Sequence, residues 1–214
     1  MGVEENYQKL FGQRSHYLPL HVGAKDVATG SRMGGLPPLC FETAPWCIHC
    51  GRPLDYYLTI ASDIWQTIAH HTDSFSLFYC PDFDCRLYAN SLFCLSHPES
   101  PRHVMAWPRA NPMEGRAIVA GEITPEVEDI REAGSISKIG GRPILIQWGR
   151  IGRLEALEQE GLQFAFQFDE ESYPRGFQIQ SYVFGCGACY VYLSLDGSRS
   201  WITAVGAKTV WQNS

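Results

Sequence analysis

Ser31-Arg-Met-Gly-Gly-Leu-Pro-Pro-Leu39 and Ser137-Lys-Ile-Gly-Gly-Arg-Pro-Ile-Leu145 are near copies, set apart by an offset of 106 residues. The same offset carries Phe78-Tyr-Cys80 onto Phe184-Gly-Cys186, so the likeness extends beyond one short motif. Similarity at a fixed spacing predicts a repeated structural unit. The chain therefore reads as an N-terminal segment (1–30), a first repeat (31–96), a connection (97–121) and a second repeat (122–214). The connection carries Pro98, Pro101, Pro108 and Pro112, with Met105 and Trp107 available to dock it.

Working outward, Leu54, Tyr56, Leu58 and Ile60 alternate with Asp55, Tyr57 and Thr59, and Leu162, Phe164, Phe166 and Phe168 alternate with Gln163, Ala165 and Gln167. Period-two alternation predicts strands with one buried face. A second strand is expected at 74–79 and at 180–184, and a third at Arg86-Leu-Tyr-Ala89 and Tyr190-Val-Tyr-Leu193. Three antiparallel strands per half is about the smallest sheet that stands alone. Helix is sparse. Thr124-Pro-Glu126 has an N-cap residue, a proline at the first helical position and an acidic first turn, with Gly134 as the stop. A second short helix is expected across Arg153-Leu-Glu-Ala-Leu-Glu-Gln-Glu160, stopped by Gly161. The predicted class is α+β, predominantly antiparallel β, in two pseudo-repeated β-rich halves with a few short helices.

Composition bounds the function. The 214 residues are 45% hydrophobic and 19% charged, enough apolar material for a substantial core. Twenty glycines, 13 prolines and a large aromatic load suit short strands joined by turns. A net charge of −6 with no Lys/Arg cluster argues against a phosphate-backbone partner. Mild acidity is either a solubility bias or a surface that steers a basic protein. No stretch reaches the ~18 apolar residues of a membrane span. The start, Met1-Gly-Val-Glu-Glu-Asn-Tyr7, lacks the basic and apolar parts of a signal peptide, and Asn6 stands where N-myristoylation wants Ser or Thr. A cytoplasmic location is expected, where eight cysteines read as thiols and metal ligands rather than disulfides.

The strongest chemical signal is Cys47-Ile-His-Cys50-Gly-Arg-Pro53 followed by Cys80-Pro-Asp-Phe-Asp-Cys85. Four thiolates satisfy tetrahedral zinc, and a Cys-x-x-Cys turn lets two sulfurs face one ion. Closed by Cys47, Cys50, Cys80 and Cys85, such a site leaves no position for water, so the zinc is expected to be structural and no catalytic residue is assigned. The alternative is four buried free thiols. His49, Cys94 and His97 are substitute ligands. Cys186-Gly-Ala-Cys189 has no upstream cysteine pair and precedes a strand, so it reads as a metal-free remnant rather than a redox motif. The Gly-Gly turns, with Arg32 or Lys138 nearby, are either anion nests or tight turns before extended X-Pro segments. His70-His71 and Asp169-Glu-Glu171 read as polar loop and solvated turn.

Together, Ser137-Lys-Ile-Gly-Gly-Arg-Pro143, Cys47-x-x-Cys-Gly-Arg-Pro53, Phe164-Ala-Phe-Gln-Phe-Asp169 and Tyr182-Val-Phe184 running into cysteines resemble the YwqG-like family, a bacterial family similar to the programmed-cell-death-protein-2-like proteins. Two departures stand out: Arg32 replaces Lys in the first copy, and the second copy lacks the upstream cysteine pair. The resemblance implies binding rather than turnover, as an immunity protein neutralising a cognate toxin, or as a chaperone for a basic, ribosomal-type client. An enzyme holding an anionic ligand at the Gly-Gly turns is the reading from another class. The expected partner is one basic protein, with neither nucleic acid nor membrane.

Overall fold

The computed structural model describes residues 15–24, 30–38, 40–41, 43–68, 73–86, 92–99, 106–108, 113–127, 136–144, 156–157, 159–174, 177, 183, 187–194 and 207–213. They form one antiparallel sheet of 11 strands: β1 His16–Val22, β2 Arg32–Met33, β3 Asp55–Ile60, β4 Ser74–Tyr79, β5 Leu92–His97, β6 Arg116–Ala120, β7 Thr124–Pro125, β8 Lys138–Ile139, β9 Leu162–Asp169, β10 Gly187–Ser194 and β11 Ala207–Asn213. The order across the sheet is β11-β10-β9-β8-β1-β6-β2-β3-β4-β5, with β7 paired to β1. The outermost strands β11 and β5 come into contact, so the sheet nearly closes into a barrel. No helix among the described residues is long and apolar enough to cross a membrane.

The centre of the sheet is built by exchange. β1, in the N-terminal segment, pairs with β8 through Leu18↔Ile139 and Pro19↔Lys138. β6, in the Pro-rich connection, pairs with β2 through Arg32↔Ala117 and Met33↔Arg116. β1 and β6 then pair with each other, Leu20↔Ala120, His21↔Val119 and Val22↔Ile118. The backbone bonds come in counterparts: Leu20 N–H donates to Ser137 O at 2.8 Å and Ile118 N–H to Ser31 O at 2.9 Å, while Gly23 N–H reaches Ala117 O at 2.8 Å and Gly121 N–H reaches Pro19 O at 2.9 Å.

The two Ser-x-x-Gly-Gly elements are built alike. Ser31 Oγ accepts the Ala61 amide at 2.7 Å, and Ser137 Oγ accepts the Asp169 amide at 2.9 Å. Gly34 N–H donates to Tyr57 O at 2.7 Å, and Gly140 N–H to Ala165 O at 2.8 Å. All four glycines have left-handed φ, between 65° and 72°, a region that non-glycine residues rarely enter.

The largest core cluster among the described residues joins Leu18, Leu20, Met33, Leu58, Ile60, Phe75 and Leu77 to Ile139, Phe166, Phe168, Cys189 and Val191. Trp65, on the helix Ser62–Ile68, packs edge-on against Phe75 and Phe166 at 5.1 and 6.0 Å between centroids. Two smaller clusters cover the other face of β3 and β4 and of β9 and β10. Leu54, Tyr56, Phe78 and Trp107 gather with Cys47, Cys80 and Cys85 on one side, and Leu157, Phe164, Tyr190 and Tyr192 on the other. Every residue of β3, β4 and β9 is buried, which corrects the expectation of one exposed face. Gln167, buried on β9, accepts the Ile144 amide at 2.7 Å and returns a bond to its carbonyl at 3.2 Å.

Several local expectations change. Thr124 and Pro125 do not open a helix, because they pair with Tyr17 and His16; the rest of that segment, 128–135, lies outside the described residues. Of the strand expected at 86–89, only Arg86 is described, and it ends a helical turn. Phe83–Arg86 is a helical turn, residues 87–91 lie outside the described residues, and the strand is Leu92–His97. Residues 180–182 and 184 are likewise outside, while Val183 is in a turn and β9 pairs directly with β10. Residues 156, 157 and 159 are helical, and Gly161, at φ 83°, follows the last turn as expected. His70-His71 falls outside the described residues. Asp169 and Glu170 are buried rather than solvated.

Candidate metal centre

The four cysteines meet where two loops converge. Residues 45–54 fold into a tight hairpin: Leu54 N–H donates to Pro45 O at 2.8 Å, Cys47 N–H to Arg52 O at 2.8 Å, and Gly51 N–H back to Cys47 O at 2.9 Å. Cys80 follows β4 directly, and the helical turn Phe83–Arg86 swings Cys85 back toward it, opened by the Asp82 carboxylate accepting the Asp84 amide at 3.1 Å. Arg52 bridges the two loops through Asp82 at 3.7 Å. This explains why the wider Cys-x4-Cys spacing works here. The extra residues form the turn that aims the second sulfur.

The sulfurs of Cys47, Cys50, Cys80 and Cys85 all lie within 4.8 Å of one another, and those of Cys50 and Cys80 are 3.5 Å apart. Four sulfurs at ~2.3 Å from a shared zinc stand about 3.8 Å apart, so the cluster fits a tetrahedral ion. The thiol chemistry also fits. Burial pushes Cys85 up to about 11 and pushes Cys80 further in the same direction, while the Arg52 amide lowers Cys50. Thiols crowded this closely resist ionising together, and a dication reverses that cost. The four cysteines could therefore hold a metal ion. The set is closed, with every position of a tetrahedron filled by protein.

The substitute ligands lie elsewhere. His49 is exposed on the hairpin between the first two cysteines, and Cys94 is buried in the central core. Cys189 is in that same core and burial raises its thiol strongly; Cys186 lies outside the described residues.

His97 belongs to a network of residues far apart in the chain, with no short motif to announce it. Its Nε2 is 2.8 Å from Ser76 Oγ, which is 2.6 Å from Thr59 Oγ1, which in turn accepts from Tyr56 OH at 2.7 Å. Its Nδ1 is 3.3 Å from Cys40 Sγ and 2.8 Å from Pro98 O. The Pro98 carbonyl assigns the proton to Nδ1, so Nε2 accepts from Ser76 and the ring takes no proton from Cys40. Burial pushes Cys40 up to about 11 and His97 down, which keeps both neutral. A thiolate nucleophile needs the opposite shifts.

The second Gly-Gly turn does hold an anion, and the chain supplies it. The Glu126 carboxylate accepts from Lys138 Nζ at 2.7 and 2.9 Å and from the Arg142 amide at 2.7 Å. A Cβ at Gly141 would overlap that carboxylate. Lys138 is fully buried, its ammonium 4.5 Å from the Tyr17 ring centroid. At the first turn, the Arg32 guanidinium lies against Gly35 in the corresponding place. Compared with known proteins, the chain matches no family model, and no curated protein matches its sequence.

Proposed function

We propose that this chain is a non-enzymatic protein-binding protein that neutralises a cognate toxin, held in shape by a structural zinc at Cys47, Cys50, Cys80 and Cys85. The observation that carries the non-catalytic part is the closed four-thiol set: with four protein ligands, no position remains for an activated water. Sulfur-only ligation favours zinc over the hard cations magnesium and calcium, which take oxygen. The neutral Cys40–His97 pair and the internally filled Gly140–Gly141 turn support the same reading, since each removes a candidate for chemistry. The toxin partner rests on the resemblance to YwqG-like immunity proteins and on the acidic balance of the chain. A chaperone for a basic client is the second reading, favoured by that same charge.

The pseudo-repeat is part of the proposal. The paired serine caps, paired glycine amides and exchanged central strands support two halves related by an approximate two-fold axis near His21 and Val119. In that arrangement the zinc hairpin covers the outer cluster of the first half, and the helical residues around Leu157 cover that of the second. Co-expression with the product of the neighbouring open reading frame tests the function. The expected result is a complex that co-purifies and restores growth of cells making that product. Absence of both a complex and protection overturns the immunity reading.

A further inference from the structure

We propose that Cys50 and Cys80 form a peroxide-oxidisable pair, joining in a reversible disulfide that links the two loops of the cysteine cluster. This rests on the four gathered sulfurs and not on the identity of any protein partner. Among the described cysteines Cys50 alone is exposed; Cys40 is half-buried, and Cys47, Cys80, Cys85, Cys94 and Cys189 are buried. Oxidation selects a thiol that a dissolved oxidant can reach, so Cys50 is the point of entry. The approach beside it is open, since a Cβ at the neighbouring Gly51 would have nothing within 4 Å.

The second sulfur is already in contact. Cys50 Sγ and Cys80 Sγ stand 3.5 Å apart. A disulfide holds its sulfurs at about 2.0 Å, so about 1.5 Å remains to be closed. The loops that carry the two thiols are held side by side: the bonds from Cys47 to Arg52 and from Gly51 to Cys47 set the hairpin, and Arg52 ties it to Asp82, two residues beyond Cys80, at 3.7 Å. The Cys-x-x-Cys motif would suggest a link within the hairpin, between Cys47 and Cys50. The sulfur contact instead joins residues 30 positions apart. A cross-link of that span restricts the unfolded chain more than one across a single turn, so the hairpin stays fastened while two of the four sulfurs are withdrawn from metal binding.

The co-reactant is a peroxide. The Cys50 sulfur attacks one peroxide oxygen, the O–O bond breaks, and its electron pair leaves on the other oxygen, which becomes water; Cys50 is then a sulfenic acid. The Cys80 sulfur attacks the Cys50 sulfur, the S–O bond breaks, and the hydroxide departs as a second water with the Cys80 proton. Two thiols and one hydrogen peroxide thus give one disulfide and two waters, with two electrons passing from sulfur to oxygen. Where an ion holds the sulfurs as thiolates, the two protons come from solvent.

The test treats the full chain, as purified and with its zinc content measured, with hydrogen peroxide, then alkylates the remaining thiols and maps the peptides by mass spectrometry. The expected result is a Cys50–Cys80 link, a thiol count lower by two than in the untreated chain, loss of bound zinc to a chromogenic chelator in step with the link, and full reversal by dithiothreitol. Dimedone present during oxidation should tag Cys50 before any other cysteine, a readout that needs no variant; in Cys80→Ser the tag at Cys50 should persist. A link within one loop, Cys47–Cys50 or Cys80–Cys85, first tagging at another cysteine, or no thiol loss at peroxide levels that oxidise free glutathione overturns the assignment. The metal reading fails separately: a chain purified without zinc that still forms the Cys50–Cys80 link removes the zinc and keeps the redox pair, whereas a zinc-loaded chain that forms no link does the reverse.

Discussion

Lys138 Nζ and Glu126 Oε1 sit 2.7 Å apart, with the ammonium wholly removed from solvent and the carboxylate largely so. The pair ties β8 to the segment after β7, and the Arg142 amide closes it from the Gly-Gly turn. A buried charge with a charged, hydrogen-bonded partner is tolerated, but one stripped of that partner is not.

Glu126→Gln strands the Lys138 ammonium. The expected loss at neutral pH is about 3–5 kcal/mol by urea denaturation. Burial already lowers the Lys138 pKa in the folded chain, so over the window from that value up to the ordinary lysine value the unfolded chain binds more protons than the folded one. Stability lost in Glu126→Gln should therefore recover as pH rises through that window. A loss that grows with pH would contradict the assignment.

Ser31→Ala and Ser137→Ala each remove the acceptor of one buried amide, at Ala61 and Asp169. Each should cost about 1–3 kcal/mol. The serines flank strands separated by three sheet spacings, roughly 14 Å, so the double variant should show the sum of the two losses. Losses of very different size would argue against equivalent halves.

Gly141→Ala and Gly161→Ala separate crowding from backbone strain. Both positions have left-handed φ, but space around Gly161 is open while Gly141 faces the Glu126 carboxylate. Gly161→Ala should cost about 1 kcal/mol from conformation alone. Gly141→Ala should cost more and shift the lysine-dependent pH profile, because it pushes Glu126 off Lys138. Equal effects would contradict the internal anion.

Chelation of the metal, or Cys50→Ser, should lower the melting temperature by about 10 °C. Burial holds the Cys80 and Cys85 thiols above their ordinary values without an ion, so metal binding must displace their protons. Affinity should fall as pH drops, and calorimetry in buffers of different ionisation enthalpy should record proton release. Unchanged melting after chelation would contradict a stabilising site.

Much of this arrangement is written locally in the chain. Gly34-Gly35 and Gly140-Gly141 require left-handed turns, and Cys-x-x-Cys at 47 and 50 requires a hairpin, so both are visible in short windows. What stayed hidden depends on distant pairing. The N-cap signal at Thr124 loses to Tyr17, which takes it into a strand. Nothing in the spacing of Cys80 and Cys85 signals the helical turn Phe83–Arg86, which forms because it brings the Cys85 sulfur to the other three. Alternation in β3 and β9 promised one wet face, and the outer clusters under Trp107 and Leu157 cover it. The exchange of β1 and β6 depends on partners far along the chain, as does the Cys40–His97 contact.

The central claim is a closed four-thiol metal site that pins the cysteine hairpin and offers no open position for an activated water. X-ray absorption at the zinc edge on the purified chain, with elemental analysis, tests it most directly. The account predicts about one zinc per chain in a shell of four sulfurs at ~2.3 Å. A metal-free chain with native melting, or a zinc holding a water or other exchangeable light-atom ligand, would contradict it.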